Sequence, residues 1–193
     1  MVIPLRTEQP VFFQNPSDFR LWLVQHGETE KEIWVGFYKK NSGKVAMNYD
    51  QALDEVLCFG WIDGIVKKHD ELSYKQRYTP RRPKSVWSKI NTQHVERLIR
   101  EGKMMPAGSR VIEEAKRDGR WDRAYDSAKN SQIPDEFMTH LNKNKKAKAF
   151  FATLNKTNIY AIAYRLQTAK TEKTKNKRTL DIIQKLVRNE KFY

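Results

Sequence analysis

The segments that favour β-strands all lie early in this chain, and segments that favour helices make up most of the rest. Residues 33–40 are rich in aromatic and β-branched side chains and predict a strand. Residues 62–68 and 73–79, joined by a short polar turn, predict a hairpin. Strands first and helices later are typical of the α+β class. We therefore predict an α+β fold, with a small antiparallel sheet and flanking helices in the N-terminal half and a helical C-terminal half.

Apolar residues at helical spacing predict the helices of the N-terminal half. One helix begins after Asn15, and a second begins near Asn48. A third is predicted at about 86–101, with Ser85 as its N-cap and Gly102 after its end.

The C-terminal part is predicted to be entirely helical. Residues 119–132 are polar and weakly patterned, which is typical of a connection. A helix then begins at Pro134, and further apolar stripes recur towards the end of the chain. We therefore predict an α+β core domain at 1–132 and a helical domain at 133–193 that packs on it.

The composition limits the cellular setting that we expect. The chain has 193 residues, and Cys58 is its one cysteine, so it forms no internal disulfide. The first residues lack the charged and apolar regions of a signal peptide, and no apolar run is long enough to span a bilayer. We therefore expect a cytoplasmic protein without a transmembrane segment.

Known catalytic and cofactor motifs are absent from the sequence. It contains no GxxxxGK[ST], GxGxxG, HExxH, CxxC or GxSxG motif. One cysteine and four scattered histidines do not have metal-site spacing. We expect no metal and no cofactor, although an active site of a new kind would carry none of these motifs.

The charge of the chain is strongly asymmetric. Its net charge is +14, but residues 1–80 carry 10 basic and 11 acidic side chains, whereas residues 81–193 carry 27 basic and 12 acidic ones. A one-sided positive field favours polyanions such as nucleic acid. A lysine-rich surface that only keeps the protein in solution is the simpler interpretation.

The densest group of functional side chains lies at residues 77–91. Ser85 is expected to cap a helix whose first N–H groups point outwards, and basic side chains flank that positive end. Such an arrangement suits a phosphate or a carboxylate. The candidate ligand residues in this segment are Arg77, Arg81, Arg82, Lys84, Ser85, Trp87 and Asn91.

A purely structural interpretation of the same segment stays open. Ser85 would then serve only as a cap, Trp87 would fill the core, and the arginines would pair with nearby carboxylates. A second segment, at 57–64, adds Trp61 and Asp63 to the candidates. Asp63 could face a ligand or one of the arginines, or it could simply cap a turn.

Several stretches resemble the YdeI/OmpD-associated family, which is also called the OmdA or bacteriocin-protection family. They are ALDEVLCFGWIDG at 52–64, YKQRYTPRRPKSVWSKIN at 74–91, EGKMMPAG at 101–108 and NKKAKAFFATL at 144–154. The resemblance spans about residues 12–190. It implies an uncharacterised bacterial cytosolic protein associated with bacteriocin protection or stress resistance. The family supplies no reaction, and the C-terminal third of this chain is more lysine-rich than the family pattern.

Three functions are compatible with these features. The first is the binding of a small anionic ligand at Arg77–Asn91. The second is the binding of nucleic acid or another polyanion by the basic C-terminal half. The third is an enzyme of unknown reaction that uses Asp63 and arginines. The sequence does not predict the identity of the ligand or the oligomeric state.

Overall fold

The computed structural model of the protein describes residues 8–193. They form two compact units, one comprising 8–85 and 91–122 and the other comprising 86–90 and 123–193. Among these residues, no helix is both long enough and apolar enough to cross a bilayer.

A three-stranded antiparallel sheet organises the first unit. Strands β1 (Ile33–Tyr38), β2 (Trp61–Lys68) and β3 (Ser73–Pro80) lie in the order β1-β3-β2. β2 and β3 form the predicted hairpin, and their pairing is irregular between Asp63 and Val66. The predicted strand at 33–40 is confirmed as β1, whose first five residues are all buried.

Two helices pack against this sheet, and each begins at an asparagine cap. α1 (Pro16–His26) follows Asn15, and α2 (Tyr49–Cys58) follows Asn48. Each cap side chain accepts a backbone N–H of the first turn, which satisfies a donor that would otherwise lack a partner. The two helices share the apolar core of the first unit with the sheet. Its fully buried members include Phe19, Leu23, Ile33, Val35, Phe37, Ala52, Val56 and Tyr78.

Helices α3 (Lys89–Arg100) and α4 (Pro106–Arg117) follow the sheet. α3 begins at Lys89, so the prediction that Ser85 caps it is wrong. Residues 82–85 form a turn instead, in which Ser85 N donates to Arg82 O over 3.1 Å. α4 lies close to the end of α2, because a Cβ on Gly108 would come within 2.2 Å of the Cys58 carbonyl oxygen.

The second unit contains four helices around a core of its own. They are α5 (Asp135–Asn142), α6 (Lys145–Phe151), α7 (Lys156–Gln167) and α8 (Glu172–Val187). α8 contacts each of the other three. The buried core of this unit comprises Phe137, Leu141, Ala147, Leu154, Ile162, Leu166, Ile182 and Leu186. The α+β class, with its small early sheet and helical C-terminal half, is therefore confirmed.

Candidate functional site

Three basic side chains of the second unit line one cavity between α7 and α8. The cavity has a volume of about 470 Å³. We call it the α7–α8 pocket. Its lining includes Tyr164, Arg165, Arg178, Asp181, Lys185 and Phe192.

Helix α7 places Arg165 at the edge of the core. Ile162 and Leu166 are buried on either side of it in the sequence, and this fixes the rotation of the helix. The Arg165 side chain runs back along the helix and donates to the carbonyl oxygen of Ala161 over 3.0 Å. Its guanidinium carbon lies 4.2 Å from the centre of the Phe192 ring. This cation–π contact holds the charged group at the pocket wall.

Helix α8 contributes the other two cations. Arg178 and Lys185 are seven residues apart, close to two helical turns, so they lie on the same side of the helix. Arg178 donates to the hydroxyl of Thr168 over 3.2 Å and to the backbone carbonyl of Arg165. The Lys185 ammonium lies 3.1 Å from a carboxylate oxygen of Glu190.

A single buried amide fixes the residues that follow α8. Asn158 is fully buried, and its side-chain oxygen accepts the backbone N–H groups of Phe192 over 2.8 Å and Tyr193 over 3.2 Å. Its side-chain nitrogen donates to the Tyr193 carbonyl over 3.3 Å. Asn158 thereby holds the Phe192 ring in the wall of the α7–α8 pocket.

The charges in the α7–α8 pocket are only partly neutralised. Within residues 8–193, neither Arg165 nor Arg178 forms an ion pair with a carboxylate. Both still offer guanidinium N–H groups beyond the backbone and hydroxyl contacts described above. Planar guanidinium groups suit the bidentate binding of carboxylate or phosphate oxygens. The pocket can therefore bind an anion without breaking an existing arginine salt bridge.

The residues predicted as a site at 57–91 are placed differently. Asp63 accepts a hydrogen bond from the Tyr49 hydroxyl over 3.0 Å. It is paired across the hairpin with Tyr78, so the neighbouring Arg77 projects from the opposite face of the sheet. Arg77 forms an ion pair with Glu32 there. Asp63 and Arg77 therefore do not pair with each other.

The remaining basic residues of that segment differ in burial. Arg81 is 8% exposed, and its backbone N–H donates to the Gly60 carbonyl over 3.0 Å. Arg82 and Lys84 are exposed. The Ser85 carbonyl accepts from the Arg120 guanidinium over 3.0 Å.

The two predicted tryptophans lie in the interior. Trp61 is 1% exposed and donates its indole N–H to the Gly27 carbonyl over 3.0 Å. Trp87 is 2% exposed, and its carbonyl accepts the backbone N–H of Tyr125 over 2.9 Å. Asn91 lies in the first turn of α3 and is partly buried.

Burial raises the pKa of Tyr78 on β3 and of Tyr49 and Cys58 on α2. It raises the pKa of the Tyr78 hydroxyl, and it raises that of Tyr49 together with the negative charge of Asp63. Burial also raises the pKa of the Cys58 thiol to about 11, so the thiol is protonated at neutral pH. Among residues 8–193, no three His, Cys, Asp or Glu side chains are grouped as metal ligands.

The α7–α8 pocket was not predicted from the sequence. None of its lining residues is among the candidate ligand residues named from the sequence. The available signal was the spacing of Arg178 and Lys185, two turns apart beside the buried Ile182 and Leu186. This spacing does not show which helix packs against α8. Arg165 on α7 and Phe192 after α8 come to the pocket only through tertiary packing.

Two family models match the chain. One is described as a domain of unknown function (DUF8412) and matches residues 11–111, more than half of the chain. The other is described as bacteriocin-protection, YdeI or OmpD-associated (OmdA) and matches residues 130–189. Searches of curated proteins and of solved structures found no match.

The two matches divide the stretches that carried the resemblance. Residues 52–64 and 74–91 lie within the DUF8412 match, and residues 144–154 lie within the OmdA match. The OmdA family is therefore confirmed over the C-terminal part of the chain, which contains α7 and α8. The chain belongs to the DUF8412 family, and its C-terminal part carries the bacteriocin-protection, YdeI or OmpD-associated domain.

Proposed function

We propose that the protein binds a small anionic ligand in the α7–α8 pocket. The observation that carries this proposal is that Arg165, Arg178 and Lys185 line one cavity while neither arginine is paired with a carboxylate in the described chain. A volume of about 470 Å³ lies within the usual range for small-molecule sites, roughly 300–1,000 Å³. The same function was predicted from the sequence at Arg77–Asn91, where Arg77 is already paired with Glu32.

The partial burial of the pocket favours binding of a defined ligand over loose counterion attraction. Arg165, Arg178 and Lys185 are each partly buried, which weakens screening by water and salt. The bonds from Arg165 to Ala161 and from Arg178 to Thr168 fix both guanidinium groups before a ligand arrives. Pre-organised groups lose less conformational entropy when they bind.

The direct test is calorimetric titration of the full chain with inorganic phosphate and pyrophosphate at constant ionic strength. Arg178→Gln should lower the affinity about tenfold or more, because it removes a charge-assisted contact. Lys177→Gln is the matched control, since it removes one positive charge from the neighbouring exposed position of α8. Equal losses in the two variants would refute a defined site, as would unchanged binding in Arg178→Gln.

A different surface favours polyanion binding as a second candidate function. Several lysines of the second unit are exposed and form no ion pair within residues 8–193. They are Lys143, Lys145, Lys146, Lys148, Lys170, Lys173 and Lys177. Exposed lysines contact phosphates without reading the base sequence. Such binding releases counterions from the nucleic acid, and it weakens as the salt concentration rises because the gain from that release becomes smaller.

Salt dependence separates the two functions. If the lysine surface binds nucleic acid, the affinity for a short single-stranded oligonucleotide should fall steeply with salt. Replacing Lys145, Lys146 and Lys148 together by Gln should make the affinity less dependent on salt, while Arg178→Gln should leave the salt dependence nearly unchanged. No detectable binding at low salt would exclude this second candidate.

A further inference from the structure

The α7–α8 pocket combines its cations with aromatic side chains that are held rigidly. Phe192 is fixed by Asn158 through its backbone and by Arg165 through its ring. Tyr164 packs edge-to-face against Tyr125, with ring centres 4.8 Å apart. A simple anion such as phosphate would use neither ring. Rigid aromatic side chains beside cations suit a ligand that carries a flat ring as well as a negative charge.

The pocket also contains a carboxylate, which a purely anionic ligand would avoid. Asp181 lies on α8 between Arg178 and Lys185, yet within residues 8–193 it forms no ion pair with either of them. An exposed carboxylate without a partner accepts hydrogen bonds and donates none. Its place in the lining therefore suits a ligand that presents N–H donors in addition to its anionic group.

We infer that the ligand class of this pocket is a nucleoside monophosphate. The phosphate would contact Arg165 and Arg178, the base would pack against the Phe192 ring, and N–H groups of the base would donate to Asp181. This assignment rests on the proposed function, since it specifies the anion that the pocket binds. It requires more than charge, because a phosphate without a base would satisfy only the two arginines.

The test compares ligands that share a phosphate but differ in the base. The full chain is titrated calorimetrically with AMP, with ribose 5-phosphate and with inorganic phosphate at constant ionic strength. AMP should bind about tenfold or more tightly than ribose 5-phosphate, because packing of the base against an aromatic ring adds to the affinity. Phe192→Leu should remove most of this preference, because it should lower the affinity for AMP much more than the affinity for ribose 5-phosphate, which loses only the support that the ring gives to Arg165.

Asp181→Asn gives a second and opposite signature. It should raise the affinity for ribose 5-phosphate, because it removes a negative charge that repels the phosphate. It should also reduce the ratio of the affinity for AMP to the affinity for ribose 5-phosphate. Leu180→Ala, at the neighbouring exposed position of α8, is the control and should change neither affinity.

The outcomes separate this inference from the proposal beneath it. Equal affinities for AMP and ribose 5-phosphate would overturn the nucleotide assignment while an anion site remains. An AMP preference that survives Phe192→Leu would also overturn it, as would a loss of both ligands in that variant, since Phe192 would then act only through Arg165. Failure of all three ligands to bind would overturn both claims.

Discussion

Two tyrosines of the first unit, Tyr49 at the start of α2 and Tyr78 on β3, differ in the hydrogen bonding of their hydroxyl groups. Tyr49 donates to Asp63 over 3.0 Å, whereas the Tyr78 hydroxyl has no hydrogen-bond partner within the described residues. Tyr78 is also fully buried. A buried hydroxyl without a partner lowers stability, because its hydration is lost without replacement.

This difference predicts opposite effects of the same substitution. Tyr78→Phe should leave the free energy of unfolding unchanged or raise it by up to about 1 kcal/mol. Tyr49→Phe should lower it by about 1.5–3 kcal/mol, since it removes a hydrogen bond to a charged group. Urea denaturation of both variants measures the two values. A large loss in Tyr78→Phe would show that its hydroxyl has a partner.

The raised pKa values of these tyrosines predict a loss of stability in alkali. Both phenols stay protonated in the folded protein above their ordinary pKa of 10.0, because of burial and of the charge on Asp63. In the unfolded chain they ionise near pH 10, so the unfolded state binds fewer protons above that pH. The free energy of unfolding is therefore unaffected by them below pH 10 and falls as the pH rises further. Each group contributes about 1.4 kcal/mol per pH unit.

Urea denaturation at increasing alkaline pH tests this expectation. The double variant Tyr49→Phe/Tyr78→Phe should lose stability above pH 10 more slowly than the unchanged protein. It lacks the two phenol protons that only the unfolded state releases in that pH range. Identical slopes would mean that neither phenol is shifted.

At the residue scale, the sequence predicted the burial and ion pairing of individual side chains better than it predicted which face of the sheet they occupy. The interpretation of Trp87 as a core residue agrees with its 2% exposure, and Arg77 does pair with a carboxylate, Glu32. The separation of Asp63 and Arg77 onto opposite faces of the sheet has a geometric cause. Which face a strand residue occupies depends on register, and the irregular pairing after Asp63 cannot be predicted from composition.

At the element scale, the packing of α4 against α2 depends on a residue without a side chain. Gly108 is buried in the first turn of α4, and a Cβ there would lie 2.2 Å from the Cys58 carbonyl oxygen. The Cys58 carbonyl also accepts the Met105 N–H over 3.1 Å, which fixes the approach of the two helices. Because the obstructing atom belongs to the backbone, it cannot move aside cheaply.

Gly108→Ala should therefore destabilise the protein although alanine favours helices. We expect a loss of about 1–3 kcal/mol, the usual cost of overpacking. Ser109→Ala, at the next position of α4, should stay within about 0.5 kcal/mol of the unchanged protein. Thermal and urea unfolding of the pair measure the difference. A neutral Gly108→Ala would contradict the close approach of α2 and α4.

Element boundaries followed from the sequence where capping signals were local. Asn15 and Asn48 each cap the helix that was predicted after them. The start of α3 was misjudged because Ser85 looks like a cap. A turn with Pro83 at its second position and Lys84 in a left-handed conformation, φ 64°, occupies that place.

At the scale of the whole molecule, the positive excess begins within the DUF8412 match and continues through the OmdA match. The positive excess begins after residue 80, and the OmdA match at 130–189 contains α7 and α8. The sequence showed how much positive charge this region carries. It could not show which cations line a cavity, because that depends on how α7, α8 and the residues after α8 pack. The domain boundary expected at residue 132 stays a prediction.

The most direct test of the account is an NMR titration of the isotope-labelled full chain with inorganic phosphate at constant ionic strength. The account predicts saturable chemical-shift changes concentrated at Arg165, Thr168, Arg178 and Lys185. Saturable changes at Arg81, Arg82 and Ser85 would contradict it and place the anion in the segment predicted from the sequence. Small, non-saturating changes spread over the exposed lysines would contradict it as well, because they would show that no defined anion site exists.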